Sequence, residues 1–233
     1  MGRTEGREDE AIVAALRELG SAIHTREVPE DARASVLEHL EAAAEALVDG
    51  APRLRWYEMP EAERDTARSY RQLSTFSGRL NTVAPPMTIR PGELADGTPA
   101  LIGTVRLDRR YEGPPRAVHG GILAGLFDEL LGGGQRLAGG APGMTGRLTV
   151  RYRRPTPLDT DLRFRAWIAE TRERRITVKA DCIIAGTADD ADAPVTAEAE
   201  AFFIRVDYDG LERNLRELDD GDAPDPAPRR PKP

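Results

Sequence analysis

Apolar residues recur at helical spacing through the first third of the chain. Residues 8–19 (EDEAIVAALREL) set Ile12, Val13, Leu16 and Leu19 along one side, and residues 29–48 repeat the pattern with Val36, Leu37, Leu40, Leu47 and Val48. Both stretches predict amphipathic helices. Pro29 ahead of two acidic residues suits a helix start, and Asp49-Gly50 suits a stop. A third helix is expected over 61–73. From Phe76 the text changes to FSGRLNTVAPPMTIRPG, where prolines and glycines punctuate residues suited to strand.

Residues 100–107 (ALIGTVRL) alternate as a half-buried strand does, and turn residues at 111–115 close that strand. An apolar helix follows, built on Ile122, Leu123, Leu126, Phe127, Leu130 and Leu131. Four strand-like runs come next, at 145–152, 161–170, 175–185 and 195–206, joined by short connections carrying Pro, Gly or Asp. These suit an antiparallel meander. With two strands ahead of the helix the expected sheet has six strands, an α+β architecture with one long helix against a curled antiparallel sheet. The expected divisions are a helical N-terminal extension over 1–73, a main domain over 74–210, and an acidic, then Pro-rich tail over 211–233 with no apolar periodicity, expected to be disordered. Trp56 and Tyr57 are expected to pin the extension to the main domain.

Composition narrows the function classes. With 233 residues, 39% of them hydrophobic, the chain can bury a sizeable core. A formal charge of -7 disfavours nucleic acid, which needs a concentrated cationic surface. No run approaches a membrane span, and the charged start MGRTEGREDE is a poor signal peptide, so a cytoplasmic protein is expected. Cys182 is the only cysteine, which leaves no disulfide framework within one chain. It reads as a buried strand thiol. His24 and His39 lack partners at ligand spacing and read as surface or interface residues, and no metal site is expected.

The remaining chemistry gathers between Tyr111 and Leu158. Opposite the apolar face of the central helix, Gly121, Ala124, Gly125, Asp128 and Gly132 fall together, so a carboxylate stands in a strip with few side chains around it. Glycine costs about 1 kcal/mol relative to alanine inside a helix, so something that approaches closely should recover it. A substrate chain or a second helix would serve. Gly120 and Gly121 can present unpaired N–H groups at the positive end of the helix, where an oxyanion could be held. His119 has two readings, one closing the turn and orienting the loop, the other acting as general acid or base. Glu129 is expected at the rim. Asp128 lies two turns from Gly120, ~12 Å along the axis, so one helix cannot bring both to a single reacting carbonyl. An antiparallel pair of helices from two chains could, giving two equivalent sites across a twofold axis.

The succession YEGPP, HGG, an acidic residue nine positions after the histidine, then MTGRLTVRYRRPTPL resembles the PaaI-type acyl-CoA thioesterases of the hotdog superfamily over about residues 76–207. The resemblance implies a hotdog fold, at least a homodimer or a dimer of dimers, no cofactor, and hydrolysis of an acyl-CoA thioester. Residue by residue it implies Asp128 as general base or nucleophile, Gly120 as the N–H donor to the thioester carbonyl, His119 as the residue fixing that loop, and Thr145 as the hydroxyl that orients water from the facing chain. Gly121 joins the substrate side of the helix start. Some members carry an Asn six residues before the histidine; here the position is Gly113, and Asn81 is the candidate replacement. Arg153, Arg154, Arg174 and Arg175 are the local cations for the phosphates of CoA. Phe76, Leu80, Val83 and Met87 are the candidate acyl-pocket residues. Two alternatives stay open, a hotdog hydratase or dehydratase pairing His119 with Glu129, and a non-catalytic acyl-CoA-binding protein.

Overall fold

A computed structural model describes residues 5–51, 53–54, 72–141, 143–186 and 193–206. The extension forms α1 (Glu5–Thr25) and, after a 3-10 turn at Glu30–Ala32, α2 (Arg33–Glu45). The strands are β1 (Thr88–Glu93) and β2 (Pro99–Arg106), then β3 (Gly143–Tyr152), β4 (Asp161–Arg172), β5 (Arg175–Ile184) and β6 (Val195–Arg205). Between β2 and β3 runs the central helix α3 (Gly120–Gly134). The expected helix at 61–73 falls almost wholly outside the described residues, as do Trp56, Tyr57 and the tail.

All six strands form one antiparallel sheet in the order β1-β2-β4-β5-β6-β3. The simple meander expected for the last four strands is therefore corrected. β4, β5 and β6 do run as a meander, but β3 pairs with β6 at the far edge and β2 pairs with β4. The short 153–160 connection hides this, because it crosses the sheet rather than turning a hairpin. Pro91 sits in edge strand β1, where a missing ladder donor is tolerated.

The sheet grips α3 on one face. Leu123, Leu126, Phe127, Leu130 and Leu131 of the helix are buried against Leu162, Phe164, Ile176, Val178 and Phe203 of the strands. Phe127 and Phe164 meet edge to face with centroids 5.0 Å apart. Fully burying one such aromatic or leucine side chain is worth about 1.5–3 kcal/mol, so this layer outweighs any other contact the helix makes.

The extension behaves differently from its pattern. Of the expected apolar face of α1 only Val13 is buried, while Ile12 is 51% and Leu16 41% exposed, and α2 buries no residue. Polar contacts attach α1 to the main domain instead. Ser21 donates to Asp108 at 3.1 Å, Arg110 donates to the Arg17 carbonyl at 2.8 Å, and Arg17 donates to the carbonyls of Gly78 and Asn81 at 2.8 and 2.7 Å.

Candidate active site

The loop that enters α3 is tied down at every step. Gly113 N–H donates to the Ala117 carbonyl, Val118 N–H to Thr156, and His119 N–H to Tyr111, at 2.8–2.9 Å. A Cβ at Gly113 would stand 2.7 Å from the His119 Cα. No side chain, asparagine included, fits there while His119 keeps its place. The missing Asn is thus built into this loop.

His119 is the N-cap of α3. Its Nδ1 accepts the Gly121 N–H at 3.0 Å, so the ring proton sits on Nε2 and the imidazole holds the turn. The cap corrects the expectation that both glycines offer free donors. Gly121 N–H is used by His119, whereas among the described residues no acceptor takes the Gly120 N–H. Tyr152, which sequence reasoning missed, closes over the same residue. Its hydroxyl donates to the Gly120 carbonyl at 2.8 Å, and its ring carbon would lie 3.3 Å from a Cβ placed at 120.

Asp128 is exposed on α3, and Thr145 Oγ1 donates to its Oδ1 at 3.1 Å. Both residues belong to one chain, so this carboxylate is held by a hydroxyl of its own subunit. A bulge makes the pairing possible. Thr145 lies opposite Phe203 and Arg147 opposite Phe202, leaving Gly146 unpaired in β3. If Gly146 were paired as in a regular strand, the two-residue period that turns Leu148 inward would turn Thr145 outward.

Glu129 is not at the rim. It is buried, 7% exposed, and accepts hydrogen bonds from Ser74 at 2.7 Å and from Ser77. The glycine strip is also partly filled by this chain. A Cβ at Gly125 would clash with the Phe76 ring, while a Cβ at Gly132 would meet no described residue within 4 Å.

Asn81 spends its side chain on its own loop, donating to the Leu73 and Ser74 carbonyls at 3.4 and 3.2 Å and accepting from Val83 N–H at 3.1 Å. The four arginines do not form one cluster. Arg153 is paired with Glu198 at 2.7 Å near the start of β6, and its N–H and that of Arg154 meet the Thr196 carbonyl. Arg174 donates to the Arg205 carbonyl, and Arg175 stacks over Phe202 at 4.3 Å beside Arg147 at 5.2 Å. Arg175 sits opposite Ile204, eight residues along β6 from Thr196 and so about 26 Å away at strand spacing.

Beyond this loop, a cleft of about 460 Å³ opens beside α1, lined by Leu16, Arg17, Thr82, Val83, Arg110 and Tyr111, and includes neither Asp128 nor Gly120. Burial pushes the Tyr111 phenol above its ordinary pKa. Burial acts to raise the Asp108 carboxyl too, but the hydrogen bonds and charge of Arg110, with the bond from Ser21, outweigh it and hold Asp108 below the usual value. Among the described residues no three His, Cys, Asp or Glu side chains converge on a metal position, and no helix is long and apolar enough to cross a membrane.

Residues 116–191 match the thioesterase superfamily family model. The same fold occurs in a crystal structure described as a thioesterase superfamily protein, with a TM-score of 0.67 at 29% identity, covering 84% of this chain and 94% of that one. The chain has the hotdog fold and is similar to proteins of the thioesterase superfamily. Weaker likenesses, both at 13% identity, include zebrafish thioesterase superfamily member 2 (TM-score 0.48, 61% of this chain and 97% of that one) and the PaaI protein of the E. coli phenylacetic acid degradation operon (TM-score 0.43, 52% and 83%). These likenesses point to thioester hydrolysis as the class of reaction. At 84% of this chain, the alignment with the first of these structures runs well past the residues that the family model matches.

Proposed function

We propose that the protein hydrolyses acyl-CoA thioesters at sites shared between two copies of the chain, with water as the only co-reactant. The observation that carries this reading is the one exposed carboxylate of the central helix, Asp128, bonded to Thr145, with an unused N–H at the capped start of the same helix two turns away. Asp128 takes a proton from a water that Thr145 helps to place. The water oxygen bonds to the thioester carbon, and the carbonyl oxygen gathers charge. Gly120 N–H of the facing chain meets that oxygen at the positive end of its helix. Collapse breaks the C–S bond, and the CoA sulfur leaves as thiolate or thiol, giving a free acid.

Two copies are required because ~12 Å of helix separates Asp128 from Gly120 in one chain. Support for pairing comes from β3. It is an edge strand that pairs with no described strand on its outer side, and it carries Thr145 and Tyr152, one touching each half of the site. Docking at that edge would bring the two half-sites together.

The hydratase reading needs Glu129 as a partner for His119, but Glu129 is bonded to Ser74 and Ser77, and His119 Nδ1 is committed to the cap. Nothing in the site favours it or the non-catalytic reading. The deciding experiment follows thiol release from an acyl-CoA panel by the wild type and Asp128→Asn, with the oligomeric state of both measured. Turnover that is lost in a folded, unchanged oligomer supports the proposal. Retained turnover, or enoyl-CoA absorbance lost without thiol release, would overturn it.

A further inference from the structure

The strip of small residues on α3 has a closed end and an open end on either side of Asp128. Gly125 lies one turn toward the N-terminus, ~4.5 Å along the axis, and Gly132 lies one turn toward the C-terminus, ~6 Å away. At Gly125 the far edge of the Phe76 ring rests directly on the helix backbone. At Gly132 no described residue comes within 4 Å of where a Cβ would stand.

Phe76 is held in that notch from both sides. Ser74 and Ser77, flanking it in sequence, both donate to the buried Glu129 carboxylate one turn further along the helix. Gly78 N–H returns to the Ser74 carbonyl at 2.9 Å, and Arg17 of α1 fixes the carbonyls of Gly78 and Asn81. A buried carboxylate used this way is strongly committed, since leaving it or its donors unpaired would cost about 1–3 kcal/mol per group. The ring itself is only half-buried, and Gly125, on which it rests, lies one turn before Asp128 on the same face of the helix.

We propose that Phe76 is the end wall of the acyl subsite and restricts the enzyme to short acyl groups, an inference that rests on the thioesterase reading above. A closed, aromatic end suits hydrocarbon. The pantetheine arm of CoA is long, polar and ends in phosphates that must reach solvent, so it takes the open end over Gly132. From a carbonyl beside Asp128, ~4.5 Å of helix leaves room for about four carbons before the ring is met. Glu129, Ser74 and Ser77 are positioning residues, acting on the substrate through Phe76. Arg17 makes the extension part of the same support.

The test compares kcat/KM for butyryl-CoA and octanoyl-CoA. The wild type prefers butyryl-CoA. Phe76→Ala raises the octanoyl-to-butyryl ratio by about tenfold or more and Phe76→Trp lowers it, in line with what one or more methylenes are worth in a pocket. Ser74→Ala combined with Ser77→Ala shifts the ratio in the direction of Phe76→Ala. If Phe76→Ala does not fold by circular dichroism, Phe76→Leu carries the same expectation. A wild type that prefers octanoyl-CoA, or a ratio unmoved in both the small and the large variants, overturns the end wall alone when turnover still depends on Asp128. A wild type that releases no thiol from either substrate overturns the thioesterase reading, and the subsite with it.

Discussion

Thr145 Oγ1 stands 3.1 Å from Asp128 Oδ1, and it faces the helix only because Gly146 is left unpaired in β3. The contact joins an edge strand to the central helix through the residue proposed to do the chemistry. Asp128→Asn should lower kcat by about 10²- to 10⁴-fold, the range of a positioned general base. Thr145→Ala should cost about 10- to 100-fold, because a hydrogen bond to a charged group is worth about 1.5–3 kcal/mol. Thr145→Ser should restore most of it. Steady-state thiol release separates the three variants, and a Thr145→Ala enzyme with wild-type kcat would remove Thr145 from the mechanism.

Tyr152 bonds the carbonyl of the residue whose N–H is proposed to receive the oxyanion. Tyr152→Phe removes one hydrogen bond, worth about 1 kcal/mol, and keeps the ring against Gly120. The expected result is a fall in kcat of about fivefold with KM little changed, because the helix start is loosened while the substrate contacts remain. An increase in KM alone would mean that Tyr152 contacts substrate and does not position Gly120.

Glu129 offers a stability test independent of activity. Glu129→Gln keeps an acceptor for Ser74 and Ser77, whereas Glu129→Leu leaves both hydroxyls facing carbon. Urea melts should place Glu129→Leu about 2–4 kcal/mol below the wild type and Glu129→Gln much closer to it. Equal losses in the two variants would show that the serine bonds contribute nothing.

The sequence made the central helix legible because its apolar positions keep one period, and the sheet then buries Leu126, Phe127, Leu130 and Leu131 as that period requires. Strand order was less legible. A short connection after β3 reads as a hairpin, and only the pairing of β3 with β6 shows otherwise. Glu129 was misread for a related reason. Helical angle placed it away from the leucines, but the residues that cover it, Ser74 and Ser77, come from a turn with no periodicity to announce it. The inward Thr145 depends on a one-residue bulge, for which glycine in a strand was the available signal. On α1 the pattern overstated burial, since Ile12 and Leu16 stay exposed and arginine and serine make the attachment.

Cys182 gives a direct measure of core integrity. The thiol is fully buried on β5, and burial pushes its pKa up to about 12. Native protein at pH 8 should therefore resist iodoacetamide over a period in which urea-unfolded protein is fully alkylated. A thiol raised from 9.0 to about 12 stabilises the fold below pH 9, and that contribution is lost as pH rises from 9 toward 12. Rapid alkylation of the native chain would contradict the buried placement of β5.

Asp108 should make the docking of α1 sensitive to acid. Its carboxylate accepts from Ser21 of α1 and from Arg110, which in turn donates to the Arg17 carbonyl of the same helix. Because the folded-state pKa of Asp108 is depressed below 3.8, its contribution is fully present above that value and is lost as pH falls through the folded pKa. Hydrogen exchange should then show α1 amides losing protection below pH 3.8 while β4 and β5 remain protected, a local opening rather than global unfolding. Asp108→Asn should bring the same loosening at neutral pH and abolish its dependence on acid. Release of α1 also frees Arg17 from the carbonyls of Gly78 and Asn81, so the Phe76 turn should lose protection together with the helix. Protection of α1 that falls only in step with β5 would show that Asp108 does not control the docking.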